Sequence, residues 1–550
     1  MPIQPMEMKN NLARIVAVFL LSLCYPRQGV PFPEPATQQP SIRVGLVEER
    51  TSVNFTVHEK IQFRYKDGTL ASTMRNSGDW RVEAVNAVPA VVRYYLSVGV
   101  KNNRVAAEKL VARLSQKGLQ ADIRVVSRRK SIHLPFYPKT IYRVLLKNSF
   151  ISEDAAKDYK ADIAEKINVD VLKIPLGKSK GKLRFTHPRS KTWFESAKPV
   201  IMDVNNVEIS AVDVGTGYHW QTTQKRRYRG RIEFVLDDTG GITVVNELPL
   251  ENYLQGVIPS EMPSAFPLEA LKAQAICARS EAINKIGIRH AYAPFDVCDD
   301  VHCQVFSGTT NLSSRTNTAV RETRGEFMIY DHGIVQAFYS GVCGGHTENN
   351  ENVWNMDAEP YLRGVVDGSA SSSRKKWSLQ NEKYVRMWID GYPDMYCNTA
   401  TNSVPHALNY GKKYYRWQVV YTRKKLQTLI EQKTGIRFGQ LLDLVPLKRG
   451  VSGRIMELKI RGTQKSFVLK KELLIRQTMS ATTLYSSCFY VTRIGRKNKP
   501  PATFVLRGAG WGHGVGMCQI GAARMALSGL ACENILKHYY KGTFLKKLYH

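Results

Sequence analysis

The chain has 550 residues, with 79 lysines and arginines against 47 aspartates and glutamates, a net charge of +32. It is 43% apolar and 23% charged, which excludes disorder, a coiled coil or collagen as an overall description. At roughly 150 residues per domain it implies three or four domains. No run of about 20 apolar residues follows the N-terminus, so a polytopic membrane protein is excluded, and the positive excess predicts a polyanionic partner: nucleic acid, a membrane surface or a cell wall.

Lys9 and Arg14 precede an apolar run from Ile15 to Leu23, broken only by Ser22. That is the length of a signal-peptide core and too short to span a bilayer. Residues 1–27 are therefore expected to be a signal peptide. No small-x-small triplet follows, so the leader is either cleaved at an unmarked site or kept as an anchor, and Leu23 makes Leu21–Cys24 a poor lipidation motif. The expected location is outside the cytoplasm, in a periplasm or at a cell wall, and nucleic acid is not an expected partner. Residues 28–40, containing GVPFPEPATQQP, read as a proline-rich linker.

Residues 41–90 begin with the alternation SIRVGLVEE and read as a strand-rich N-terminal part of a core. Residues 91–175 carry two phrases of the same order. The first is a strand at 91–100, an amphipathic helix from Asn103 to Gln116 stopped by Gly118, and a strand at 121–126. The second is a strand at 141–146, a helix capped by Ser152 and running to Lys166, and a strand at 169–174. Two β-α-β phrases predict one small ferredoxin-like sheet with two helices on a single face. Residues 176–197, with KSKGKL, read as a basic linker, and residues 198–550 as the main domain. Within it, Arg229–Val235 and Ile242–Val245 alternate around a Thr239-Gly240-Gly241 turn. The fold class is multi-domain α+β.

Pro259-Ser260-Glu261-Met262-Pro263 reads as a stiff, non-helical elbow, because each proline disfavours helix in the residue before it. Pro267 then suits a first helical turn, and Leu268, Leu271, Ala275, Ala278, Ala282 and Ile286 make one buried stripe ended by Gly287. Glu261 is thus a lone carboxyl on a loop entering a buried, alanine-rich helix. Met262 and Phe266 would raise its pKa by desolvation, and the helix N-terminus would lower it. His290, Cys298, His302 and Cys303 fall within HAYAPFDVCDDVHC. Two imidazoles and two thiolates are the donor set of a closed structural zinc site, and an oxidised cysteine pair or free thiols are the alternatives. Asp299 and Asp300 read as solvated. SGVCGGHT and GAGWGHGVGMCQ are glycine-rich without phosphate-loop spacing. Their glycines suit close approach of backbone to a glycan, and a Cys343 or Cys518 nucleophile is a minor alternative.

Five blocks in order carry a family resemblance: NELPLENYLQGVIPSEMP, EALKAQAICARSEA, CDDVHCQVFSG, AFYSGVCGGHTE with PYLRGVVD, and GAGWGHGVGMCQIGAARMA with ILKHYYKGT. Together they resemble the stage II sporulation protein D (SpoIID/LytB) family, and residues 91–175 resemble a SPOR domain. The first resemblance implies a peptidoglycan lytic transglycosylase whose catalytic glutamate falls on Glu261, or alternatively a non-catalytic enhancer of an N-acetylmuramoyl-L-alanine amidase. It implies zinc on His290, Cys298, His302 and Cys303. Gln274, Arg279, Tyr339, Ser340, His346, Thr347, Trp511, His513 and Gln519 become candidate substrate-binding residues. The SPOR resemblance implies binding to glycan strands stripped of stem peptides. In lytic cleavage one carboxylic acid protonates the glycosidic oxygen and then takes the C6 hydroxyl proton as a 1,6-anhydro ring closes, so a second carboxylate is not required. The chain departs from the family in having Cys518 where serine is common, and in the polar stretch 364–412, which reads as a surface excursion.

Overall fold

The computed structural model describes residues 34–129, 132–163, 166–369, 378–401, 403–496 and 499–550. The expected signal peptide and the first residues of the linker lie outside them. The fold is mixed α+β with several sheets. No helix among the described residues is long and apolar enough to cross a membrane.

Strands β1 (Ser41–Arg50), β2 (Ser52–Val57) and β3 (Gly78–Val88) open the chain. Next come β4 (Val92–Lys101), α1 (Arg104–Ser115), β5 (Ala121–Ser127), β6 (Thr140–Phe150), α2 (Glu153–Asp162) and β7 (Asp170–Pro175). The four strands among them form an antiparallel sheet of order β5-β6-β4-β7. Its own core includes Leu96, Ala107, Leu114, Val144, Leu146, Ala156 and Val169. Asn103 and Ser152 cap the two helices, accepting from the backbone N–H of Ala106 and Ala155; each satisfies a first-turn donor that would otherwise need water.

The chain then runs through β8 (Lys180–His187), β9 (Thr192–Ser196), β10 (Val200–Val214), β11 (Thr222–Leu236) and β12 (Ile242–Pro249). With β1–β3 and the short β13 (Val297–Cys298) they build a nine-stranded sheet of order β13-β1-β12-β11-β10-β2-β3-β8-β9. The linker expected at 176–197 is therefore corrected: most of it is β8 and β9. Leu183 and Phe185 alternate inward beside the basic residues, and the Phe185 ring stacks on Phe194 and packs against Phe63. Because β3 pairs directly with β8, the module from β4 to β7 leaves and re-enters the sheet at neighbouring strands. An insertion at such a point leaves the host pairing intact. The β11–β12 turn is held by Asp237, whose carboxylate accepts from the backbone N–H groups of Thr239 and Gly241.

Helix α3 (Leu250–Glu261) follows β12, and α4 (Leu268–Lys285) follows α3. In α4 every residue from Ala270 to Ile283 except Lys272 is buried, so the single expected stripe extends around nearly the whole helix. Alanine allows the surrounding elements to pack close to its axis. Gly287, at φ +74°, ends it, and Arg128, just beyond β5, donates to the last carbonyls, Nε to Ile286 at 2.8 Å and Nη2 to Ile283 at 2.7 Å.

After α5 (Ser314–Glu322), β14 (Glu326–Tyr330), β15 (Gly333–Ile334) and β16 (Tyr339–Ser340), the chain enters a region with cores of its own. It contains α6 (Glu382–Asp390), β17 (Arg416–Thr422), α7 (Arg423–Thr434), β18 (Leu441–Arg449), β19 (Ile455–Gly462), β20 (Ser466–Lys470), α8 (Glu472–Thr478), β21 (Phe489–Ile494) and β22 (Thr503–Ala509). The main core resumes with β23 (Met517–Cys518), α9 (Gln519–Leu527), α10 (Cys532–Tyr539) and β24 (Phe544–Lys547). Two expectations change here. Residues 198–550 hold more than one core. The described part of the stretch 364–412 is no surface excursion, since Asp367, Trp388, Cys397 and Thr399 are buried; residues 370–377 and 402 lie outside the described residues.

Candidate active site around Glu261

Glu261 is the last residue of α3, and the helix passes through Pro259. The expected non-helical elbow is thus corrected. Only at Met262, extended at φ −134° and ψ 138°, does the chain leave the helix, as the following Pro263 requires. Met262 still donates to Ile258 at 2.9 Å. The electrostatic expectation reverses with it: Glu261 stands at a helix C-terminus, where the dipole disfavours an anion.

Glycine brings a second segment against this helix. A Cβ on Gly256 would lie 2.5 Å from the Gly308 carbonyl oxygen and 2.6 Å from the Phe306 ring. The bare backbone lets residues 305–308 lie on α3, where the Ser307 N–H donates to the Gly256 carbonyl at 3.2 Å. This places the Val305 N–H 2.8 Å from Glu261 Oε1. The Tyr339 hydroxyl also faces the carboxyl and lowers its pKa. Behind Tyr339 a relay continues: Gln304 Nε2 donates to the Tyr339 hydroxyl at 3.0 Å, and the Tyr253 hydroxyl donates to Gln304 Oε1 at 3.1 Å.

No ion pair involves Glu261 among the described residues. Burial raises its pKa above the ordinary carboxylate value, against the Val305 N–H, the charge of Lys285 and the Tyr339 hydroxyl, which all lower it. The residue as a whole keeps partial solvent exposure. A crowded carboxyl with neutral donors and a route to solvent can hold a proton and release it.

His290, Cys298, His302 and Cys303 come together as expected. Their ligand atoms all lie within 4.8 Å of one another, with Cys303 Sγ 3.4 Å from His290 Nε2 and Cys298 Sγ 3.8 Å from His302 Nδ1. Two thiols and two imidazoles at this spacing fit a tetrahedral zinc. Cys298 is fixed by β13 pairing with β1, and the cluster ends two residues before Val305. Asp299 and Asp300 are not free in solvent: Asp299 is buried against Arg226 at 3.2 Å, and Asp300 accepts from the N–H groups of Gly215 and Thr216.

The other candidates divide. Tyr339, His346, Trp511 and His513 keep partial exposure. The Trp511 indole stacks on Tyr414 with centroids 4.3 Å apart, beside Tyr485. His346 Nδ1 donates to the Thr347 carbonyl at 2.7 Å. His513 Nδ1 accepts from the Val515 N–H at 3.0 Å, and burial, with Arg476 and Arg454 nearby, pushes its pKa down to about 3, so the ring is neutral. Gln519 and Gln274 are buried, and Gln519 Nε2 donates to the Glu261 carbonyl at 3.1 Å and to Gln274 Oε1 at 3.2 Å. Ser340 is buried with its Oγ unpartnered among the described residues. Arg279 and Thr347 are buried too, each held by partners inside the fold. Arg279 is fully buried, paired with both oxygens of Glu251 at 3.0 and 2.9 Å. Thr347 is buried with its hydroxyl accepting from the Val365 N–H at 2.8 Å. Neither is available to a glycan. Cys343 and Cys518 are buried as well, which removes the exposed-nucleophile alternative.

Val305, Gln304, Tyr253 and Lys285 were not legible as site residues. Gln304 and Val305 follow directly on Cys303, but nothing in their spacing tells that the loop folds back onto Glu261.

A family model described as "Stage II sporulation protein" matches residues 238–330, which include Glu261 and the His/Cys cluster. Stage II sporulation protein D of Bacillus subtilis (strain 168) is 28% identical over 313 residues, 54% of this chain and 75% of that protein. The chain belongs to the SpoIID family. An amidase enhancer of the same organism is 30% identical over 304 residues, 53% of this chain and 40% of that protein. An uncharacterized protein of Brachyspira hyodysenteriae is 31% identical over 322 residues, 57% of this chain and 71% of that protein. A second family model, a domain of unknown function, matches residues 348–516. In this SpoIID-family chain that match covers the region with separate cores, between β16 and β23.

Proposed function

We propose that the protein is an exported peptidoglycan lytic transglycosylase, cleaving the MurNAc–GlcNAc bond to 1,6-anhydro-MurNAc ends with Glu261 as the acid and then the base. The observation that carries this reading is the carboxyl of Glu261, desolvated, free of any ion pair among the described residues, and met by neutral donors. Protonated, it donates to the glycosidic oxygen; the anion left behind is received by the Val305 N–H and the Tyr339 hydroxyl. That anion then removes the C6 hydroxyl proton as the anhydro ring closes. Trp511, with Tyr414 and Tyr485 around it, offers an aromatic face to a sugar ring, and His346 and His513 are neighbouring polar groups of the same glycine-rich segments. Gln519 and Gln274 act as positioning residues behind Glu261.

A structural zinc on His290, Cys298, His302 and Cys303 fits the donor set, and when bound it supplies rigidity and no catalytic chemistry. It would fix the loop that presents Gln304 and Val305 to the carboxyl. The strand order of residues 92–175 and its two capped helices support a ferredoxin-like, SPOR-like module. Such a module would hold the enzyme on denuded glycan strands and raise its local concentration there.

The second reading, a non-catalytic amidase enhancer that grips the wall through its charge, is favoured by the relative of that name and the net charge of +32. Purified protein incubated with purified sacculi separates the two. A transglycosylase releases anhydro-muropeptides alone; an enhancer releases none but accelerates an added N-acetylmuramoyl-L-alanine amidase.

A further inference from the structure

A second group of ligand-type side chains lies away from the first. Cys343, Asp367, Cys397 and Cys518 present three sulfurs and a carboxylate oxygen, all within 4.8 Å of one another. Their exposures are 2%, 0%, 0% and 0%. Cys343 Sγ lies 3.5 Å from Cys397 Sγ and 3.2 Å from Asp367 Oδ2. A tetrahedral zinc with bonds of about 2.3 Å to sulfur and about 2.0 Å to oxygen would require edges of about 3.5–3.8 Å. These two edges therefore need to open by only a few tenths of an ångström to enclose an ion, and no edge exceeds 4.8 Å.

The surroundings match those of thiolates. The Cys343 N–H donates to Cys518 Sγ at 3.2 Å, and the Gly345 N–H to Cys343 Sγ at 3.4 Å. The other carboxylate oxygen, Asp367 Oδ1, accepts from the Tyr539 hydroxyl at 2.6 Å, and Oδ2 from the Cys397 N–H at 3.1 Å. Donors of this kind orient metal ligands from behind. No lysine or arginine pairs with Asp367 among the described residues, so nothing there neutralises a buried carboxylate beside three thiols. Packing is tight: a Cβ on Gly521 would fall 2.3 Å from the Tyr539 hydroxyl and 2.4 Å from Asp367 Oδ1.

We infer that Cys343, Asp367, Cys397 and Cys518 form a second, structural zinc site that staples the region between β16 and β23 to the catalytic core. Asp367 and Cys397 belong to the stretch 348–516 that matches the domain of unknown function, while Cys343 and Cys518 flank its two ends. The ion closes a loop of well over a hundred residues at its neck, where a cross-link removes the most chain entropy. It also fixes Cys518 directly before Gln519, which donates to the Glu261 carbonyl. Binding releases the thiol protons to solvent, and four protein donors leave no open position for substrate.

The test is a metal count on the full chain, expressed with zinc and purified under reducing conditions without chelator. Wild type should hold two zinc ions per chain. Cys298→Ser combined with Cys303→Ser should retain one, and Asp367→Asn, which keeps an acceptor for Tyr539, should lose it from that background. Should the double variant not fold, cobalt exchanged into the wild type should show sulfur-to-cobalt charge transfer from five thiolates per chain instead of two. No zinc in a folded Cys298→Ser/Cys303→Ser protein, a two-thiolate cobalt spectrum, or recovery of a Cys343–Cys397 disulfide in a non-reducing peptide map overturns the inference. Loss of the first zinc alone leaves it standing.

Discussion

The backbone N–H of Val305 points at Glu261 Oε1 across 2.8 Å, joining residues 44 apart in sequence. That bond depends on the absence of a side chain at Gly256, and it offers the Glu261 anion a donor that mutation of side chains alone cannot remove. A fixed dipole at the point where charge develops is the economical way to stabilise a general acid after it has given up its proton.

Replacing Glu261 with glutamine should stabilise the fold at neutral pH. Burial raises the folded carboxyl's pKa above its ordinary value of 4.5. The wild-type fold therefore binds the proton more tightly than the unfolded chain, and its stability falls as pH rises through the folded pKa. Glu261→Gln lacks that penalty and keeps an oxygen for the Val305 N–H. Thermal melts should show a difference that grows with pH above the ordinary carboxylate range and vanishes below it; equal melting temperatures at all pH values would contradict the buried acid.

Tyr339→Phe removes a hydroxyl that lowers the pKa of Glu261. Activity that needs the protonated acid is lost as pH rises through this pKa. The alkaline limb of the pH–rate profile should therefore move to higher pH in the variant, with reduced kcat. An unmoved limb, or a shift to lower pH, would separate Tyr339 from the acid.

Arg279 tests structure against substrate binding. Burial alone would raise the pKa of Glu251, yet the charge and hydrogen bonds of Arg279 hold it below the ordinary value. Glu251 also accepts from the Tyr549 hydroxyl and the Gly325 N–H. Arg279→Met strands a buried carboxylate and should cost about 3–5 kcal/mol in denaturant unfolding at neutral pH. The deficit should shrink as pH falls through the pKa of the stranded Glu251, which burial raises, so that it takes up a proton above the ordinary carboxylate range. Glycan affinity of the folded protein should be unchanged; a weaker affinity with normal stability would return Arg279 to the binding surface.

Cys298→Ser should release the ion from the first His/Cys cluster and loosen the loop carrying Gln304 and Val305. Zinc content should fall by one equivalent, and kcat should fall more than glycan affinity. Loss of zinc with kcat retained would show that the loop needs no ion.

Much of this arrangement could be read from the residues, because local chemistry decides it. The caps at Asn103 and Ser152, the turn at Thr239–Gly241 and the alanine-rich helix all obey short-range rules. The His290–Cys303 cluster was legible for the same reason: its donors lie in one short loop. The elbow at Pro259 misled because proline lacks only one hydrogen-bond donor, and tertiary packing of Leu254, Val257 and Ile258 holds the helix through it. Lys180–His187 misled because its charges hid a period-two pattern. Arg279 gave no hint of pairing with Glu251, and Cys343, Asp367, Cys397 and Cys518 are too far apart in sequence to show any spacing. What the residues could not disclose is which distant segments meet.

Purified sacculi stripped of stem peptides, digested separately with wild-type protein and with Glu261→Gln and analysed by mass spectrometry for chain ends, put the central claim to the most direct test. Wild type should yield 1,6-anhydro-MurNAc ends and the variant none, with glycan binding retained. Anhydro ends at undiminished yield from the variant, or reducing ends or no cleavage from the wild type, would contradict the account.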